Sequence, residues 1–184
     1  MTQLRSVCVF CGSRHGTDPA HATDARAVGH AIAAKGWRLV YGAGDVGLMG
    51  EVARAALSAG AQTMGVIPQH LLAAERGRTD VGQRVITESM HERKKVMFMN
   101  SDAILVLPGG AGSLDEFFEV LTWRQIGLHE KPIFILNTNG YWTPLMQLVS
   151  NVINNGFADP SLRDFVEIAD TVPDVMALLS ARLG

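Results

Sequence analysis

The chain has little of what marks the specialised protein classes. Two cysteines among 184 residues cannot staple a fold in the way of a small secreted domain. Basic and acidic residues nearly cancel, 16 against 18 for a formal charge of −2, so there is no electrostatic footprint for nucleic acid or another polyanion. Apolar runs such as 103–107 and 133–136 fall far below the roughly 18 residues of a membrane span. The opening residues lack a basic region followed by a long apolar stretch, so no secretory signal is expected and the expected location is the cytoplasm. With 47% hydrophobic and 18% charged residues, what is there is a globular composition. The length suits a single domain, 1–184, able to bury its own core.

Cys8 and Cys11 form a C-x-x-C, a spacing that suits redox chemistry or half of a zinc site. A redox pair wants its first thiol at a helix N-terminus. These two fall in a strand-like run and, three apart at period two, point to opposite faces. The six histidines, at 15, 21, 30, 70, 91 and 129, show no ligand-like pairing for a metal. Buried strand cysteines and no metal site are expected.

Short β-branched runs alternate with longer helical patterns, the signature of βαβ units around a parallel sheet. The runs at 7–10, 38–41, 63–67, 84–87, 103–107, 133–136 and 165–168 read as strands. Between them, 19–35 carries Ala25, Val28 and Ile32 on one stripe and stops at Gly36, and a second stripe through Leu48, Val52, Ala53 and Ala56 stops at Gly60. Ser89 and Glu92 read as a capping box opening a helix over 90–99. A fourth helix begins near Leu114, a fifth at Thr143 and Pro144 as N-cap and first residue, and a sixth covers 173–182. Residues 69–82 are polar and aperiodic and read as a surface loop or cover near the ligand side.

In such a sheet, ligands gather where strands end, and four chemistry-bearing loops follow strands. Gly42-Ala43-Gly44-Asp45-Val46-Gly47 matches G-x-G-x-x-G between a strand and a helix. The acid expected about 20 residues on for a dinucleotide ribose is missing, and what remains is either an anion site using Gly44 and Gly47 or a tight turn. Pro108-Gly109-Gly110-Ala111-Gly112-Ser113 is a second glycine loop without the Gly-Lys-Ser/Thr ending of a P-loop. Ser113 and Glu116 after it fit either a capping box or a functional pair. Met90-His91-Glu92-Arg93-Lys94-Lys95 sets cations at a helix start, where they oppose the dipole unless an anion sits nearby. Gly12-Ser13-Arg14-His15-Gly16 is the fourth loop.

Together with Phe10-Cys11-Gly12-Ser13 and Gly47-Leu48-Met49-Gly50, these motifs resemble the Lonely Guy family, in order and over about 6–150. Its members are cytokinin riboside 5′-monophosphate phosphoribohydrolases, long mislabelled as lysine decarboxylases. The resemblance implies a Rossmann-like, doubly wound α/β fold with a mostly parallel sheet and helices on both faces, usually as a homodimer. It implies hydrolysis of the N-glycosidic bond of adenosine-type 5′-monophosphates with no metal or organic cofactor. Carried over by position, Arg93 and Glu116 are the catalytic pair, and Ser13, Gly44, Gly47, Met90, Gly109, Gly110, Ala111, Gly112 and Ser113 the substrate-binding set. Departures are Ala43 for the common Gly, Ser113 for Thr, and Arg14-His15 where Ser is frequent. A left-handed backbone at Ala43 would carry some strain.

Two rivals stand beside this reading. Pyridoxal-dependent lysine decarboxylation needs a Schiff-base lysine, and Lys35, Lys94, Lys95 and Lys131 have no recognisable cofactor context. A non-enzymatic nucleotide carrier or sensor would explain the glycine loops but not the added Arg93 and Glu116. The choice between plain and N6-prenylated adenine rests on pocket shape.

Overall fold

In the computed structural model, which describes residues 4–72 and 82–184, the runs read as strands form one sheet. Its strands are β1 (Ser6–Phe10), β2 (Arg38–Tyr41), β3 (Thr63–Pro68), β4 (Gln83–Thr87), β5 (Ala103–Val106), β6 (Ile133–Leu136) and β7 (Val166–Ala169). They lie in the order β4-β3-β2-β1-β5-β6-β7, and every pairing is parallel. The helices are α1 (Pro19–Ala34), α2 (Gly47–Ser58), α3 (Met90–Met99), α4 (Ala111–Gln125), α5 (Thr143–Asn154) and α6 (Val172–Leu183).

A parallel sheet covered on both faces wants apolar side chains on both, and the central strands supply them. Val7 and Val9 of β1 join Leu39, Leu105 and Phe134 in a core sealed by Val28 and Ile32 of α1, Val52 and Ala56 of α2, and Leu179 of α6. The alternate residues Cys8 and Phe10 join Val40, Ile104 and Ile135 under Met97 of α3, Phe117 and Leu121 of α4, and Val149 of α5. Cys8 and Cys11 are both free and buried, one in each core, and burial pushes both thiols well above their ordinary range.

Three local expectations are corrected. α4 begins three residues before Leu114, with Gly110 as N-cap and no side-chain cap, so Ser113 and Glu116 are not a capping box. Ser113 lies inside the first turn, and Glu116 faces inward from the second. At α3 the Ser89 hydroxyl accepts from the Glu92 amide at 3.2 Å, but the Glu92 carboxylate returns to the amide of Glu88 at 2.6 Å, one residue before the expected partner. α5 has Trp142 as N-cap and Thr143 as its first residue. The 69–82 segment opens with a single 3-10 turn at Gln69–Leu71, and 73–81 lie outside the described residues.

The chain moves outward from β1 to β4 and then returns to place β5 on the other side of β1. The loops after β1 and β5 therefore diverge and leave a crevice between them, where α/β sheets bind ligands.

Candidate active site

A cavity of about 540 Å³ occupies that crevice. Its walls come from the loop after β1, the first turns of α2 and α3, the 108–113 loop running into α4, and Tyr141 beyond β6. Each contributor follows the carboxyl end of a strand, so the sheet order assembles the site.

Electrostatics begin at α4. The first turn of a helix leaves amides without internal partners and carries the positive end of the dipole. Asp18 caps α1 by accepting from Ala20, Ser89 caps α3, and at α2 the Met49 amide donates to the Gly12 carbonyl at 3.2 Å. α4 has no side-chain cap, and its opening residues Ala111, Gly112 and Ser113 line the cavity. Uncapped amides at a helix start can hold an anion.

Arg93 and Glu116 meet beside it. Arg93 is 6% exposed and Glu116 9%, and Arg93 Nη1 lies 3.9 Å from Glu116 Oε1. The remainder of the guanidinium is tied to backbone: Nε donates to the Val66 carbonyl at 3.1 Å and Nη2 to the Gly42 carbonyl at 2.8 Å. Arg93 is thus a fixed cation presenting one edge to Glu116. Burial raises the Glu116 carboxyl to about 7; Arg93 pulls it back and Asp115 adds to the rise. A carboxyl held near neutrality in a cavity is the usual arrangement for acid–base work.

The cations at the start of α3 find their anions on α4. Next to Arg93, the buried Lys94 reaches Asp115 at 2.9 Å and Glu119 at 3.2 Å. Burial pulls its ammonium down, and the hydrogen bonds it donates to both carboxylates outweigh that and hold it above its ordinary value. The adjacent pairs Arg93–Glu116 and Lys94–Asp115 lace the opening turns of the two helices together.

Of the residues singled out in the sequence, Ser13, Met90, Arg93, Gly109, Gly110, Ala111, Gly112, Ser113 and Glu116 all line the cavity. Gly44 and Gly47 do not. The Gly44 amide points at the Met49 sulfur, 3.1 Å away, and Gly47, at φ +60°, lies against the Ser13 and Arg14 backbone, where a Cβ would come within 2.2 Å of the Ser13 carbonyl carbon. The first glycine loop is better explained by Arg93, because a Cβ on Gly42 would stand 1.8 Å from Nη2. The Gly44 amide is taken by the Met49 sulfur, and the tight-turn alternative fits this geometry. Ala43 does take the left-handed conformation, at φ +60°.

The sequence reading missed His21 and Tyr141, which also line the cavity. Tyr141 donates to the Gly109 carbonyl at 2.6 Å. Its position just beyond a strand end was the available signal; His21, on the first turn of a helix, gave none. None of the four lysines lines the cavity, which removes the Schiff-base residue that pyridoxal chemistry would need there. Among the described residues, no group of three or more His, Cys, Asp or Glu is placed to hold a metal ion.

Comparison with known proteins shows the family. The family model described as "possible lysine decarboxylase" matches residues 49–179. A probable cytokinin riboside 5′-monophosphate phosphoribohydrolase from Oryza sativa subsp. japonica is 40% identical over 97% of this chain and 73% of its own length. The chain belongs to the Lonely Guy family. A second family member, a cytokinin riboside 5′-monophosphate phosphoribohydrolase from Arabidopsis thaliana, is 36% identical over 97% of this chain and 83% of its own. The family fold extends further: the molybdenum cofactor binding protein of Rippkaea orientalis superposes with a TM-score of 0.77 over the whole of both chains at 22% identity, a likeness of fold.

Proposed function

We propose that this protein hydrolyses the N-glycosidic bond of adenosine-type 5′-monophosphates, including N6-modified ones, to free base and ribose 5-phosphate. The observation that carries the reading is the buried Arg93–Glu116 pair in the same cavity as the uncapped N-terminus of α4. The names of its relatives support it.

In this reading the 5′-phosphate sits on the amides of Gly110 to Ser113 with the Ser113 hydroxyl, where the dipole favours it. The ribose then lies beside Glu116. Breaking C1′–N develops positive charge on the ribose, which an ionised carboxylate stabilises. Water adds to C1′ as the bond to the base breaks; its proton passes to Glu116 and on to the departing base. Arg93, anchored on two carbonyls, orients Glu116 and keeps part of it ionised at neutral pH. Leu48, Met49, Leu71 and Met90 give the cavity an apolar side on which a purine can lie. A single domain, a homodimer and a cytoplasmic location belong to the same reading, and no described helix is long and apolar enough to cross a membrane.

The test incubates the protein with AMP, N6-isopentenyladenosine 5′-monophosphate and the parent nucleosides, and follows free base by chromatography. Base is expected from the monophosphates alone, with a loss of about a hundredfold or more in Glu116→Gln. The wild-type rate should rise with pH through about 7 as Glu116 ionises. Nucleotide binding without base release from any substrate would refute hydrolysis and make the protein a carrier.

A further inference from the structure

His21 is the third residue of α1, 7% exposed, and part of the cavity wall. Its Nδ1 is sealed within the protein and has no hydrogen-bond partner. Buried polar atoms are nearly always paired, so a histidine left in this state beside a cavity calls for an explanation.

The ring is fixed in place. Its face or edge meets Tyr141 in a T-shaped contact, centroids 5.3 Å apart and planes at 74°. Gly16 lies close to the ring as well, where a Cβ would stand 3.3 Å from the His21 Cδ2. Tyr141 is in turn anchored by its hydroxyl to the carbonyl of Gly109, the residue before the N-cap of α4. His21 is thereby tied, through one aromatic neighbour, to the loop that opens α4.

We propose that His21 is a binding residue for the phosphomonoester end of the substrate, an inference that rests on the nucleotide reading above. Nδ1 is sealed within the protein, so Nε2 is the ring nitrogen left to meet a ligand, and in the tautomer protonated there it is a donor. The Nε2–H then joins the amides of α4 as a side-chain donor to a phosphate oxygen. Such a donor contributes to holding phosphorylated ligands and nothing to holding their dephosphorylated counterparts, which makes His21 a determinant of selectivity for monophosphates over nucleosides.

The test measures binding of ribose 5-phosphate and of ribose, by calorimetry, to the wild-type protein and to His21→Phe, which retains an aromatic ring against Tyr141 but has no N–H. Ribose 5-phosphate should bind about tenfold or more weaker to the variant, as for a lost hydrogen bond to a charged group, while any ribose binding stays the same. KM for AMP should rise by a similar factor with kcat little changed. Should the variant fail to fold, ¹⁵N-histidine spectra of the wild-type protein decide the matter: ribose 5-phosphate should move the His21 Nε2 resonance. Equal binding by the two proteins, or an unmoved resonance in the ligand-bound protein, overturns the role of His21 alone. A wild-type protein that binds neither ribose 5-phosphate nor AMP overturns the nucleotide reading and this inference with it.

Discussion

Replacing Glu116 by Gln should stabilise the fold, by an amount that grows with pH. Burial moves this carboxyl from an ordinary 4.5 up to about 7, despite the opposing pull of Arg93. Within that window the folded protein keeps a proton that the unfolded chain has released. Folding stability from this group therefore falls as pH rises from the lower value to the upper and is level beyond it. At 1.36 kcal/mol per pH unit, the full passage costs the wild-type fold about 3 kcal/mol. Gln fills nearly the same space and does not titrate, so the variant escapes this slope. For a protein of this size the difference corresponds to about 6–12 °C in melting temperature. The assay compares urea and thermal unfolding of both proteins at about pH 4 and about pH 8.5, on either side of the titration. The advantage of the variant should grow by about 3 kcal/mol between the two conditions. An advantage that is the same at both would refute the claim that the folded protein carries a burdened carboxyl. Confirmed, the result makes Glu116 a residue whose position costs stability, as functional residues commonly do.

Two further substitutions test the loop after β2. Gly42→Ala sets a methyl group 1.8 Å from Arg93 Nη2, and the guanidinium must leave its carbonyl partners; a loss of about 1–3 kcal/mol in stability and of about a hundredfold in base release is expected from unfolding curves and the chromatographic assay, and unchanged activity would refute the anchoring of Arg93. Ala43→Gly removes the strain of a left-handed alanine at φ +60°, for a gain of about 1 kcal/mol or about 2–4 °C. A melting temperature that does not rise would show that Ala43 is unstrained.

The fold was legible because it rests on local signals. Strands such as 38–41 and 133–136 and the apolar stripe through Ala25, Val28 and Ile32 depend on near neighbours in the chain and were read at the observed positions. Ser113 and Glu116 were harder to read, because S-x-x-E spacing is the same in a capping box and inside a helix; what decides is that α4 starts at Ala111, after a glycine N-cap. The first glycine loop offers the same lesson at longer range. Its glycines look outward to a ligand in the sequence, yet Gly42 makes room for a side chain 51 residues away, a partner that only the packing of α3 against the strand ends reveals. His21 and Tyr141 meet across an even longer stretch of chain, and no spacing rule connects them.

The strand order β4-β3-β2-β1-β5-β6-β7 also sets a problem for the chain as it emerges from the ribosome. The first half of the sequence builds β1 to β4, and in that half-sheet β1 is an edge. It is among the most thoroughly buried strands of the finished protein, with Val7, Cys8, Val9 and Phe10 all at 2% exposure or less. Until β5 arrives, almost 100 residues later, β1 presents unpaired backbone and apolar side chains to the cell, the hazard that edge strands carry. The crossover that opens the crevice between β1 and β5 is therefore also the step at which nascent chains are most exposed to pairing with one another.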